Sequence, residues 1–149
     1  MSETFQHAQE EMKRADHLMF VSLKYTRTVD VLKSIVERLI NAFDFSFEAY
    51  FEKLKKEKKI MDIPSIPKVK VDVLKNLFEH DEVLHNFLRL YLLLRKINKA
   101  DFSRAREYRR HVTMTALLED AEIEITIDII YDYFEKTKEF LEYIQEKIA

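Results

Sequence analysis

Glycine and cysteine are both missing from the 149 residues, and proline appears only twice. Without glycine, the phosphate-cradling loops of the Walker, Rossmann and kinase types are excluded, because each needs a residue lacking Cβ at positive φ. Without cysteine there is no thiolate nucleophile, no Cys-ligated zinc and no iron–sulfur cluster, and disulfides cannot report the redox compartment. Long apolar runs are absent too: the longest, Leu90 to Leu94, falls far short of the ~20 residues of a membrane span. The stretch from Met1 to Lys13 is polar and acidic, with no basic head leading into an apolar run. Neither a signal peptide nor a transit peptide is supported, and the expectation is a cytoplasmic protein with no membrane partner. Only three Gln and four Asn accompany the abundant Lys and Glu, a bias resembling that of proteins from hot environments.

What is present is enough for one folded unit. Hydrophobic residues make up 47% and charged residues 35% of the chain, which supports a single core over residues 1–149 and argues against disorder. Phe5, Ala8, Met12, Ala15, Met19 and Ser22 recur three and four apart, so a first amphipathic helix is predicted. Thr28 is placed to cap a second, long helix carrying Val29, Leu32, Val36, Leu39, Phe43, Phe47, Tyr50 and Leu54. Its further apolar residues, Ile35, Ile40, Phe45 and Phe51, predict several packing neighbours or a dimer seam. Pro64 and Pro67 mark the main break. A short helix with Val71, Leu74 and Phe78 follows, and then a helix capped by Asp81 whose Leu-rich Leu84–Ile97 segment reads as central. A cap at Asp101 or Ser103 predicts a short helix from about Phe102 to His111. Period-two alternation from Val112 to Ile125 allows a small β-hairpin, and Thr126 or Asp128 opens a last helix. The expected fold is all-α, an antiparallel bundle of four or five helices with a possible hairpin before the last one.

The net charge of −2 conceals a division along the chain. From Arg95 to His111, seven cations (Arg95, Lys96, Lys99, Arg104, Arg106, Arg109, Arg110) face Asp101 and Glu107, a balance of +5. From Glu119 onward, three Lys face ten acids, a balance of −7. Four of the nine arginines lie between Arg104 and Arg110. The planar guanidinium matches phosphate oxygens two at a time, where lysine offers a point charge. A phosphate partner is one reading of this cluster; neutralisation by Asp128, Asp132 or Glu135 of the last helix is the other. His111 lies directly beside the arginines, and its side chain takes and gives protons near neutral pH. Together they meet the needs of RNA cleavage by its own 2′-hydroxyl: a base for the hydroxyl proton and cations for the charge on phosphorus. Neither a metal nor another cofactor is required.

Arg106-Glu107-Tyr108-Arg109-Arg110-His111 resembles the Arg-x4-6-His motif of the HEPN superfamily, and Arg104 to His111 fits its longer spacing. The motif precedes the final helix, as in that superfamily, and the chain resembles an archaeal-like, stand-alone member. The resemblance implies a helical domain that forms a homodimer and acts as a metal-independent endoribonuclease on RNA at the dimer cleft. A nucleotidyltransferase-type antitoxin is a further partner that some members imply. His111 would move the proton, and Arg106 or Arg104 would stabilise the phosphorane. On an unbroken helix, residues seven apart nearly share an azimuth and residues five apart differ by about 140°, so Arg104 is favoured if His111 is helical and Arg106 if the helix stops first. Arg109, Arg110, Tyr108, Lys99, Arg95 and Lys96 are the expected nucleic-acid contacts. Glu107 after Arg106, Ala105 after Arg104, and Thr113 two residues beyond His111 depart from the pattern of many catalytic members. The alternative is a non-catalytic helical dimer that binds nucleic acid or a partner protein.

Other constellations carry less. Glu82 and His85 have the Glu-x-x-His spacing of di-metal bundles, but no second such pair exists. The aromatics Phe43, Phe45, Phe47, Tyr50 and Phe51 have the spacing of a core stripe. Tyr108, between Arg106 and Arg109, is placed either to close the core or to stack on a base.

Overall fold

The computed structural model describes residues 2–149. Its helices begin where short polar side chains satisfy free amides of the first turn. The Ser2 hydroxyl accepts from the Phe5 amide ahead of α1 (Glu3–His17), which continues through a π-helical stretch (Leu18–Ser22) into α2 (Leu23–Tyr25). Thr28 caps α3 (Val29–Lys56) by accepting from the Val31 amide at 3.3 Å. Pro67 occupies the first turn of α4 (Pro67–Leu77), where its missing N–H has no consequence. Asp81 caps α5 (Glu82–Lys99) through the Leu84 amide at 3.0 Å, and Thr126 caps α6 (Ile127–Ile148) through the Ile129 amide at 3.2 Å. Because α1 and α2 form one rod, the described residues make five helical rods.

The centre of the molecule is α3, against which α1, α5 and α6 all pack. That corrects the expectation for α5, whose Leu92 and Leu93 are only partly buried. The difference follows from the width of the apolar surface on α3: of the residues off its main stripe, Ile35, Ile40 and Phe51 are buried within this single chain, and Phe45 is partly buried, with its ring 5.4 Å from that of His7. Phe43 and Phe47 of α3 meet Tyr91 of α5 and Phe140 of α6, with Phe43 stacked on Phe140 at 4.5 Å and Phe47 edge-on to Tyr91 at 4.8 Å. Fully burying a large apolar side chain contributes roughly 1.5–3 kcal/mol, so this four-ring junction is a principal tie between α3, α5 and α6. On the other side of α3, the buried Glu11 of α1 is held by Arg14 at 2.9 Å and by Arg38 of α3 at 3.1 Å. Its charge is therefore paired where it loses water.

The predicted helix over Phe102–His111 is absent. Asp101–Ala105 is strand β1, paired antiparallel with β2 (Thr113–Leu117), which pairs in turn with β3 (Glu122–Ile125). The hairpin of the second and third strands is present, and the first strand extends it to a three-stranded sheet in the order β1-β2-β3. The register places Phe102 opposite Ala116, and Arg104 opposite Met114, which also faces Ile125. Directly opposed residues share a face, and this face lies against the helices: Met114, Ala116 and Ile125 are buried. Asp101 and Ser103 are exposed on β1 instead of capping a helix. A polar edge strand gives no strong period-two signal, and charge on an edge also discourages pairing with other chains. The fold is thus mostly helical with a small antiparallel sheet. Among the described residues no helix is long and apolar enough to cross a membrane.

Candidate nucleic-acid interface

The β1–β2 connection, residues 106–112, carries the sequence motif and is fixed to the start of α3. The Tyr108 amide donates to the Arg27 carbonyl at 2.6 Å, and the Glu107 carboxylate accepts from the Val29 amide at 3.0 Å. Arg104, at the root of the loop, pairs with Asp30 at 2.9 Å and with Glu107 at 3.6 Å. Its hydrogen bond to Asp30, together with the Glu107 charge, lifts the Arg104 guanidinium above its ordinary value. At the far end, the Val112 amide donates to the Arg109 carbonyl at 3.1 Å and the Val112 side chain is buried. Arg106 and Tyr108 adopt left-handed backbone, with φ of 55° and 65°. That region costs a residue with Cβ on the order of 1 kcal/mol, which the bonds to Arg27 and Val29 offset.

These restraints divide the predicted residues into two sets. Arg106, Arg109, Arg110 and His111 are exposed, and their side chains have no ion-pair partner among the described residues. Tyr108 is 78% exposed, so it does not close the core. Lys96 and Lys99 are exposed on the last turns of α5, which leads directly into β1. The second set is occupied. Arg104 lies over the Phe102 ring at 5.3 Å in addition to its two ion pairs, an arrangement that shapes the loop. Arg95 pairs with Asp44 at 3.4 Å, and Asp44 also accepts from the Tyr91 hydroxyl at 2.6 Å. None of Asp128, Asp132 and Glu135 forms an ion pair with these arginines among the described residues, and Asp132 pairs instead with Lys136 of its own helix at 2.9 Å. Arg104 lies on a strand and His111 in a turn, so no shared helical azimuth relates them.

Residues from the other end of the sequence complete the surface. Arg27 touches the loop through its carbonyl, while its Nε is buried with no hydrogen-bond partner. Tyr25, two residues earlier, is 79% exposed. Neither is legible in the sequence, since their only link to the motif is a backbone contact across roughly eighty residues. His85, whose spacing from Glu82 is that of a di-metal pair, bonds through Nε2 to the Phe78 carbonyl at 3.0 Å. Among the described residues no group of three or more His, Asp or Glu is placed to hold a metal ion. A cleft of about 510 Å³ between α5 and α6, floored by Phe87, Leu90 and Leu93, holds none of the predicted site residues. Comparison of the chain with protein-family models, with curated proteins and with solved structures gave no match.

Proposed function

We propose that the β1–β2 loop is a nucleic-acid contact, with Arg106, Arg109 and Arg110 gripping backbone phosphates and the resemblance to HEPN domains making RNA the expected polymer. The observation that carries this reading is the contrast within one arginine cluster. Arg104 is neutralised twice, while the three arginines beyond it stand exposed without acidic partners among the described residues. Guanidinium groups on a restrained loop lose little freedom when a phosphate arrives. Lys96 and Lys99, exposed on α5 ahead of β1, are further candidate phosphate contacts.

A second reading is favoured by the position of His111, exposed beside those arginines. Two such loops facing one another across a HEPN-like homodimer would supply a proton-transfer group and phosphorane-stabilising cations, giving metal-independent endoribonuclease chemistry. The two readings separate in one experiment on purified protein with fluorescent RNA in excess chelator. Arg109→Ala and Arg110→Ala are expected to weaken binding and to lower the salt slope by about 0.7 for each phosphate no longer neutralised. Unchanged affinity and slope in both variants overturns the proposal. Cleavage by the wild type that His111→Ala abolishes supports the catalytic reading, whereas binding without cleavage by any form supports the non-catalytic one.

A further inference from the structure

Resting on the proposed nucleic-acid contact, we infer that the segment Tyr25–Arg27 is the second wall of that site and makes it selective for unpaired bases. Three contacts join the segments 104–108 and 27–30: Tyr108 amide to Arg27 carbonyl, Glu107 carboxylate to Val29 amide, and Arg104 to Asp30. The consequence is that two tyrosines far apart in the sequence are set on adjoining segments of one surface. Tyr25 lies only two residues from the docked Arg27, at most about 7 Å along the backbone, and Tyr108 is the residue docked on it.

Both residues are largely exposed, at 79% and 78%. The remaining tyrosines are used differently. Tyr50, Tyr91 and Tyr133 are buried, Tyr143 donates from its hydroxyl to Asp81, and the partly exposed Tyr131 packs edge-on to Phe20 at 6.1 Å. Tyr25 and Tyr108 have no side-chain hydrogen bond and no ring partner among the described residues. Two rings left uncovered beside exposed guanidiniums match the two requirements of single-strand binding, a cationic track for the backbone and flat surfaces on which bases stack. In a duplex each base already stacks on its neighbours and its faces are not available.

Arg27 contributes charge from the same wall. It has no acidic partner among the described residues, and its buried, unpartnered Nε restricts how the guanidinium can turn. A phosphate on the exposed side would supply the missing counter-charge. The ligand class is therefore a single-stranded polyanion with free bases. RNA and DNA share that chemistry, and the test includes both.

The test measures fluorescence anisotropy with a labelled mixed-sequence single strand, as RNA and as DNA, and with the same sequences as duplexes. Tyr25→Ala and Tyr108→Ala are expected to weaken single-strand binding roughly tenfold each while leaving the salt slope unchanged. Tyr25→Phe retains affinity, because stacking uses the ring and not the hydroxyl. Arg27→Gln lowers the slope by about 0.7. Circular dichroism and melting of every variant establish that the fold is intact. Tyrosine variants that bind within twofold of the wild type, or a wild type that holds duplex as tightly as single strand, overturn the inference while sensitivity to Arg109→Ala leaves the parent reading standing. A wild type that binds none of the four probes at low salt overturns both. Preference for RNA over DNA by the wild type, with equal loss on both in Tyr25→Ala, supports the inference and assigns sugar discrimination to other groups.

Discussion

The carboxylate of Glu107 accepts a hydrogen bond from the amide of Val29 at 3.0 Å, so a residue of the arginine-rich loop satisfies the first turn of the central helix. Thr28 serves the Val31 amide of the same turn. Negative charge at a helix N-terminus is favourable in itself, and here it also holds the loop in place.

Removing that carboxylate should therefore affect the helix and the loop together. Glu107→Ala is expected to cost about 1 kcal/mol, within the range for lost caps, or roughly 2–4 °C in a chain of this size. Thermal melting checks the first effect. Hydrogen exchange checks the second, since the Tyr108 amide should lose protection in the variant; unchanged protection would show that the loop is held without Glu107.

Arg106 offers a way to separate a guanidinium from the backbone that carries it. Its φ of 55° favours glycine, so Arg106→Gly should leave the melting temperature within about 2 °C while deleting the charge. Arg106→Val puts a β-branched residue in the same conformation and should cost about 1–3 kcal/mol. If RNA affinity falls in the glycine variant with the fold intact, the side chain is the contact.

Acid should weaken the junction of α4, α5 and α6 through Asp81. Burial alone pushes its carboxyl upward, but hydrogen bonds from the Tyr143 hydroxyl and the Leu84 amide, with the charges of Lys147 and His85, outweigh it and leave the group below its ordinary 3.8. A carboxylate depressed on folding adds stability that is complete above the unfolded value and lost as pH falls through the folded one. The gap in melting temperature between wild type and Asp81→Asn should be widest near pH 7 and shrink below about pH 4. A constant gap down to pH 2 would contradict this.

Alkali should act through the buried tyrosines. Burial, the hydrogen bond to Asp44 and its charge raise Tyr91; burial and Asp81 raise Tyr143; and burial lifts Tyr50 to about 12. Groups raised on folding contribute stability that is full below about pH 10 and disappears as pH climbs through their folded values. Tyrosinate absorbance of the native protein should lag behind that of the unfolded chain above pH 10 and catch up as unfolding occurs. Tyr91→Phe also deletes the 2.6 Å bond to Asp44 and should lower stability by about 1–2 kcal/mol at pH 7.

The helices were legible because their two signals agree: Thr28, Asp81 and Thr126 act as caps, and each precedes an apolar period that the structure buries. Strand β1 was not. Asp101 and Ser103 are good caps by residue type, and on the inner face Phe102 is followed by Arg104, so no apolar period of two appears. The arginine cluster stood out by density, but density does not distinguish Arg104, whose partners come from Asp30 and Glu107, from Arg109 and Arg110. Tyr25 and Arg27 carry no sequence signal for this site, because a carbonyl and an amide, which every residue possesses, bring them to it.

The π-helical stretch Leu18–Ser22 sets the rotational phase of α2 relative to α1. It holds one more residue in the turn than an α-helix does, and the wider turn takes up the roughly 100° by which that added residue would otherwise rotate Leu23–Tyr25 around the axis. Straightening the same residues into a regular helix would therefore swing Tyr25 around the rod by that amount, although no residue of the loop had changed.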